Sequence, residues 1–356
     1  MGSTALRPCG DFRTTYKTDQ YLFQTKVIGW TAAVALVVMI LAPVLMSSYV
    51  VNLLILVGIS GISALGLNVL VGMTGQISLG HAAFYGFGAF SSAYLANNYG
   101  VPVLIAIPLA GVMTAIVGMV FGLPAARIKG LYLAIATLAS QFILVDFFSR
   151  ATWFTNGYGV DASKPDFFGI PLDTDEKYFY VVLAWAVISM ITVANLKRSR
   201  DGRALVAVRD HYLSAEIMGI NLTKYRILAF GISSFFAGVA GALYAHYIEF
   251  VSVETFSIAL SINFLAMIII GGLGSVPGAF LGAMFIELLP QLVQIISGFL
   301  ISVGPSVFGI IENGKSYVEQ ITVGTVIILF LIFEPEGIAH RIGQIRKSIK
   351  LYPFSY

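Results

Sequence analysis

From position 27 to position 333 the chain alternates long apolar runs with short polar links, and almost no charge falls inside the runs. The runs cover residues 27–46, 50–70, 77–96, 101–125, 131–148, 178–196, 227–247, 257–271, 277–300 and 321–333. A helix needs roughly 20 apolar residues to cross a hydrocarbon core about 30 Å thick, and most of these runs have or approach that length. Strands of a membrane barrel would instead alternate apolar and polar residues over about ten positions. The pattern therefore predicts an all-α polytopic membrane protein with about ten transmembrane helices. The runs 257–271 and 321–333 are short, so broken or re-entrant helices there would reduce the count to about eight or nine. The predicted organisation is a tail at 1–26, one membrane domain at 27–333 and a tail at 334–356. Within that domain lie a long acidic loop at 149–177 and a basic loop at 197–226. No internal repeat is legible.

Charge placement gives these helices a direction. Lys and Arg flanking membrane helices mark cytoplasmic loops. Such residues are Arg7, Arg13, Lys17 and Lys26 in the first tail, then Arg127 and Lys129. Further on come Lys197, Arg198, Arg200, Arg203 and Arg209, and in the last tail Arg341, Arg346, Lys347 and Lys350. Asp161, Asp166, Asp173, Asp175 and Glu176, with Glu249 and Glu254, then fall outside. Ten crossings with both termini cytoplasmic are expected to satisfy every one of these placements. The run 27–46 exceeds the apolar core of a cleaved signal peptide, about 7–15 residues, and is read as a retained span.

Composition agrees: 58% of residues are hydrophobic and 11% charged, and mean hydropathy is +0.87. A soluble domain carries about 25% charged residues. The net charge of +3 says little by itself compared with where the charges fall, and no nucleic-acid partner is expected. The single cysteine, Cys9, excludes a disulfide within the chain.

Several motifs need weighing. Glycine is abundant, and helices in lipid associate by close approach at small residues. Gly274, Gly278 and Gly282 are spaced by four and are expected to open one helix face for packing, as are Gly118 and Gly122. Residues 309–316 read GIIENGKS and match a phosphate-binding loop letter for letter. That motif works between a strand and a helix of a soluble domain, a context absent here, so the match is read as chance. Asn221-Leu222-Thr223 matches a glycosylation acceptor on the side assigned to the cytoplasm. No HExxH, paired cysteines or His/Asp constellation suggests catalysis or a metal, and no cofactor is expected. Ionisable residues at membrane depth are functional candidates by default; here these are His81, Asp146 and Glu287.

Two stretches carry more. Residues 68–90, NVLVGMTGQISLGHAAFYGFGAF, interrupt an apolar run with Gly72, Gly75 and Gly80 and add Asn68, Thr74, Gln76, Ser78 and His81. Irregular backbone at membrane depth survives only when buried in protein or lining a cavity, so these residues and Glu287 are candidates for a substrate pathway. Residues 197–225, KRSRDGRALVAVRDHYLSAEIMGINLTKY, form an amphipathic cytoplasmic segment. Such a segment can lie on lipid or dock into a partner's groove.

These stretches resemble the branched-chain amino acid permeases of bacterial ABC importers, closer to the LivM-type subunit than to the LivH-type. AVRDHYLSAEIMGIN followed by LAFGISSFFAGVAGALY is similar to that family's coupling segment and next span, and IGGLGSVPGAFLGA is similar too. The resemblance runs from about position 54 to position 290. Only Ala215, Glu216 and Gly219 echo the EAA…G coupling motif of other importers. The resemblance implies a permease of the bacterial inner membrane paired with a second, LivH-like permease. It also implies two cytoplasmic ATPase subunits that hydrolyse ATP and a periplasmic binding protein that delivers branched-chain or other small amino acids. Arg209, Asp210, Ala215, Glu216 and Gly219 would couple to the ATPases. One alternative is a permease for urea or short amides in the same superfamily. Another, of a different class, is a stand-alone ion-coupled transporter using Glu287 or Asp146.

Overall fold

The computed structural model describes residues 26–128, 130–163, 166–167, 170–171, 174–303, 315–334 and 336–351. The loop-like match at 309–314 and the first tail with Cys9 lie outside the described residues. The helices are α1 (Lys26–Leu45), α2 (Ser48–Asn68), α3 (His81–Tyr99), α4 (Val103–Ala125) and α5 (Leu131–Arg150). A short α6 (Thr152–Thr155) precedes α7 (Asp175–Arg198), α8 (Arg200–Asp210), α9 (Tyr212–Ile217) and α10 (Leu222–Ile248). The chain closes with α11 (Ile258–Gly271), α12 (Val276–Val303), α13 (Lys315–Phe333) and α14 (Ile338–Leu351). Six of the described helices are long and apolar enough to cross a membrane, and α1 and α11 contribute shorter apolar stretches.

The acidic loop is not wholly irregular. It holds β1 (Gly159–Asp161), β2 (Asp166–Phe167) and β3 (Ile170–Pro171), and β2 pairs antiparallel with β3. β1 pairs antiparallel with β4 (Phe250–Ser252), Val160 opposite Val251, which ties the loop to the segment after α10.

Helix α10 is the hub. Its run of Gly, Ala and Ser leaves room for neighbours to approach its backbone, and it packs on α2, α3 and α4. It runs antiparallel to α2: Tyr247 donates to Asn52 at 2.8 Å at one end, and Gly66 meets Phe236 farther along. A Cβ at Gly66 would come 2.7 Å from the Phe236 Cβ, so only glycine fits that crossing. Asn221 caps α10, accepting from the Lys224 N–H at 3.0 Å. That cap accounts for the Asn-x-Thr match without glycosylation.

Packing reveals a repeat that the residues conceal. α2 is followed by a π-turn, Val69–Met73, an extended segment, residues 74–80, and then α3, whose first residue, His81, lies beside Ser63, five residues before the end of α2. α10 is followed by residues 249–257 and then by α11, which starts beside Gln141 in the middle of α5. Each part-length helix turns back through glycine into an antiparallel partner, α3 into α4 and α11 into α12. α2 packs on α11 and α12 as α10 packs on α3 and α4. The two sets run in opposite directions, the arrangement of an inverted repeat.

The glycine triplet departs from the expected single face. Gly274 lies in the α11–α12 turn at φ +76°, and Gly278 and Gly282 alone sit in α12, against the Gly271 and Met267 carbonyls of α11. A spacing of four matches a helix face only while the helix continues, and here it begins at Val276.

Candidate functional site

The two extended segments meet at Gln141. Its Oε1 accepts from the Ala83 N–H at 2.9 Å, in the first turn of α3. Its Nε2 donates to the Phe256 carbonyl at 2.7 Å, just before α11. Ser261 of α11 accepts from the Ala82 N–H at 2.9 Å, and Thr137 of α5 accepts from the Leu79 N–H at 3.0 Å. Backbone groups of a helix start have no intrahelical partner, and at this depth no water replaces them. Side chains from α5 and α11 supply what is missing. Phe256 is fully buried among Tyr85, Phe90 and Phe148, which anchors the second segment.

The residues singled out in the sequence divide into groups. His81 Nε2 is hydrogen-bonded at 3.0 Å to the Ser63 carbonyl, and its ring meets Phe264 edge-on. Thr74 donates to the Leu70 carbonyl at 2.5 Å and accepts from Gln76 Nε2 at 2.8 Å. The Gln76 Oε1 is buried and lacks a partner among the described residues. Ser78 is buried and accepts from the Gly80 N–H at 3.4 Å. Asn68 stands apart, clamping the α11–α12 turn: its Nδ2 donates to the Ser275 carbonyl at 2.9 Å, and its Oδ1 accepts from the Gly274 N–H at 2.8 Å. Glu287 is also separate, half-buried on α12 and accepting from Ser60 of α2 at 2.6 Å. Asp146 is exposed and ion-pairs with Arg150 one turn on, at 2.9 Å. It therefore sits outside the buried polar set.

Gln141, Thr137 and Ser261 were not among the sequence candidates. The signal that could have found them is an amide or hydroxyl in the middle of an apolar run, where an unpaired polar group costs most.

Segment 74–80 is not sealed inside the chain. Gly75 is exposed and Ile77 is 46% exposed. On the opposite side an open cleft of about 1030 Å³ descends from Asn156, Tyr158 and Glu254 to Gln141, Phe256 and Ser257.

The basic loop folds as two short helices rather than one. Ser199 caps α8, accepting from the Gly202 N–H at 3.1 Å. Ala204, Leu205 and Val208 of α8 are buried, so this helix belongs to the membrane body. α9 faces the other way: Ala215 is buried, while Glu216, Leu213, Ile217 and Met218 are exposed. Gly219, at φ +83°, ends α9, and the Ile220 N–H closes it on the Ala215 carbonyl at 3.0 Å. Arg209 points inward, with Nη1 donating to the Gly72 carbonyl, and its Nε pairs with Asp210 at 2.9 Å.

Comparison with known proteins adds the family. A family model described as branched-chain amino acid transport system / permease component matches residues 49–332. The high-affinity branched-chain amino acid transport system permease protein LivM of Escherichia coli is 30% identical over 89% of this chain and 76% of its own length. The LivM protein of Salmonella typhimurium is 29% identical over 89% and 75%. The autoinducer 2 import system permease protein LsrC of Klebsiella pneumoniae is 33% identical over a shorter stretch, 29% of this chain and 32% of its own. No solved structure matches. A match across residues 49–332, with 30% identity along most of a curated relative, means that this chain belongs to the permease component family of branched-chain amino acid transport systems.

Proposed function

We propose that this chain is a membrane-spanning permease subunit of an ATP-driven importer in the bacterial inner membrane, carrying branched-chain or other small amino acids. The observation that carries this reading is the family match over residues 49–332. Two structural features support it. Extended backbone at membrane depth cannot face lipid, yet Gly75 and Ile77 are exposed on the isolated chain. A second permease subunit laid on this face covers them, and the two chains together enclose the pathway. On the other side, α9 offers Leu213, Ile217 and Met218 as an apolar ridge beside the exposed Glu216. Such a ridge suits a groove in an ATPase subunit.

Arg127, Lys197, Arg198, Arg200, Arg203 and Arg226 cluster at the α8–α9 end, which orients that end to the cytoplasm. Ten crossings with both termini cytoplasmic follow from this orientation when α1, α3, α11 and α13 are counted with the six long apolar helices. The cleft above Gln141 then opens to the periplasm, where a binding protein delivers solute. ATP is hydrolysed on the partner subunits, and this chain contributes a two-state membrane body.

A permease for another small solute is favoured by one observation, the similarity to an autoinducer 2 import permease. Uptake competition separates the readings. With the ATPases and binding protein reconstituted in vesicles, unlabelled isoleucine and valine are expected to suppress uptake of labelled leucine. No uptake of labelled leucine, together with uptake of labelled urea or a short amide that isoleucine and valine do not suppress, would assign the alternative substrate.

A further inference from the structure

Arg209 and Lys197 reach the same small junction from two helices. Arg209 lies in the last turn of α8, and its Nη1 donates to the Gly72 carbonyl at the end of α2. There α2 widens into a five-residue π-turn, Val69–Met73, before the extended segment. Carbonyls at a helix end lack intrahelical donors and carry the negative end of the dipole, so a cation fits. The Arg209 stem packs on Gly75: a Cβ there would lie 3.0 Å from Arg209 Cγ, and Gly75 itself sits at φ +70°. Nη1 is 3.7 Å from where a Gly274 Cβ would stand. Lys197, from the last turn of α7, donates to the Gly274 carbonyl at 2.7 Å. Asn68 completes the junction by bonding both Gly274 and Ser275.

The inner turns of both inverted halves, Gly72–Gly75 and Gly272–Ser275, are thus riveted together and held by cations from the basic loop. Asp210, on the neighbouring position, holds the Arg209 guanidinium through Nε. The residues of α9 that face outward take no part in this junction. The loop therefore has two working ends, α9 toward partners and Arg209 toward segment 74–80.

We propose that Arg209, assisted by Lys197, is a positioning pin that transmits movement of α8 and α9 to these two glycine turns, one at the start of segment 74–80 and one between α11 and α12, and that it does not dock the ATPase. The proposal rests on the importer reading above. A bond shifts a conformational equilibrium only if it differs between the two states, so the pin holds one state of the pathway and is released or re-seated in the other.

The test uses the complete importer, with both permeases, both ATPases and the binding protein, in vesicles. Arg209→Gln, Arg209→Lys and Lys197→Gln are compared for ATPase co-purification, for hydrolysis stimulated by loaded binding protein, and for solute taken up per ATP. With Arg209→Gln, the ATPases are expected to stay bound and hydrolysis to stay within about twofold of wild type. Uptake per ATP is expected to fall about tenfold or more, the effect of losing a charge-assisted hydrogen bond from one state. Arg209→Lys should keep part of the coupling, and Lys197→Gln should lose a smaller share. Unchanged uptake per ATP in Arg209→Gln would overturn the proposal. So would loss of the ATPases from that complex, which would make Arg209 a docking residue. If Arg209→Gln does not accumulate, the other two variants decide by the same ratio, since each leaves one arm of the junction in place. Failure of the importer reading would look different: the wild-type assembly would itself show no stimulated hydrolysis.

Discussion

Gln141 shows how one polar side chain organises a membrane-embedded site. It is 1% exposed and satisfies groups at the start of α3 and before α11. Replacement by Leu keeps the volume close but removes both bonds, leaving the Ala83 N–H only its 3.2 Å bond to the Gly80 carbonyl, at about 0.5–1.5 kcal/mol for each bond lost. Gln141→Leu is therefore expected to lower the unfolding midpoint of the purified chain in lipid–detergent mixtures, whereas Phe142→Leu on the exposed neighbouring position should not. Equal midpoints for wild type and Gln141→Leu would show that these bonds do not hold the segments together. Little of this was legible beforehand. Asn68, Thr74, Gln76, Ser78 and His81 drew notice because glycines surround them in the sequence. Gln141 and Ser261 sit in apolar runs with no glycine interruption beside them, and only the fold shows that both face the same helix start.

At the scale of elements, apolar length was a good guide wherever a helix spans its run. The expected 101–125 and 131–148 correspond to α4, Val103–Ala125, and α5, Leu131–Arg150. It was a poorer guide where backbone leaves the helix at depth. Ile77 and Leu79 are apolar, so 77–96 read as a full span, yet the helix starts at His81. Amphipathicity of the basic loop was visible, but not that its two apolar clusters point in different directions. Ala204 and Val208 are buried, whereas Leu213 is 61% and Ile217 is 86% exposed. Exposed substitutions usually change stability by no more than about 0.5 kcal/mol, so Ile217→Asp should leave the membrane body folded. Loss of a buried apolar anchor at an interface should, by contrast, cost about 2 kcal/mol or more. The expected outcome is a variant that purifies normally without its ATPase subunits. Full retention of those subunits by Ile217→Asp combined with Leu213→Asp would remove α9 from the interface.

At the scale of the whole molecule, two halves of opposite direction share one geometry without sharing recognisable sequence. Helix packing needs small residues at crossings and donors at broken ends, and many sequences meet those needs. That is why the family pattern was legible from several motifs in order while the inverted pairing was not. Both halves bring irregular backbone toward Gln141, and residues 74–80 reach the surface of the isolated chain, with Ile77 at the centre. A chain built this way is one part of an assembly. The most direct test places a cysteine at Ile77, with Cys9→Ser removing the native thiol. Cross-linking is carried out in native membranes, and the captured proteins are identified after mild-detergent purification. The account expects Ile77→Cys to capture a second permease subunit and ATPase subunits to co-purify. A chain that cross-links to no protein at Ile77 and purifies without an ATPase would contradict it.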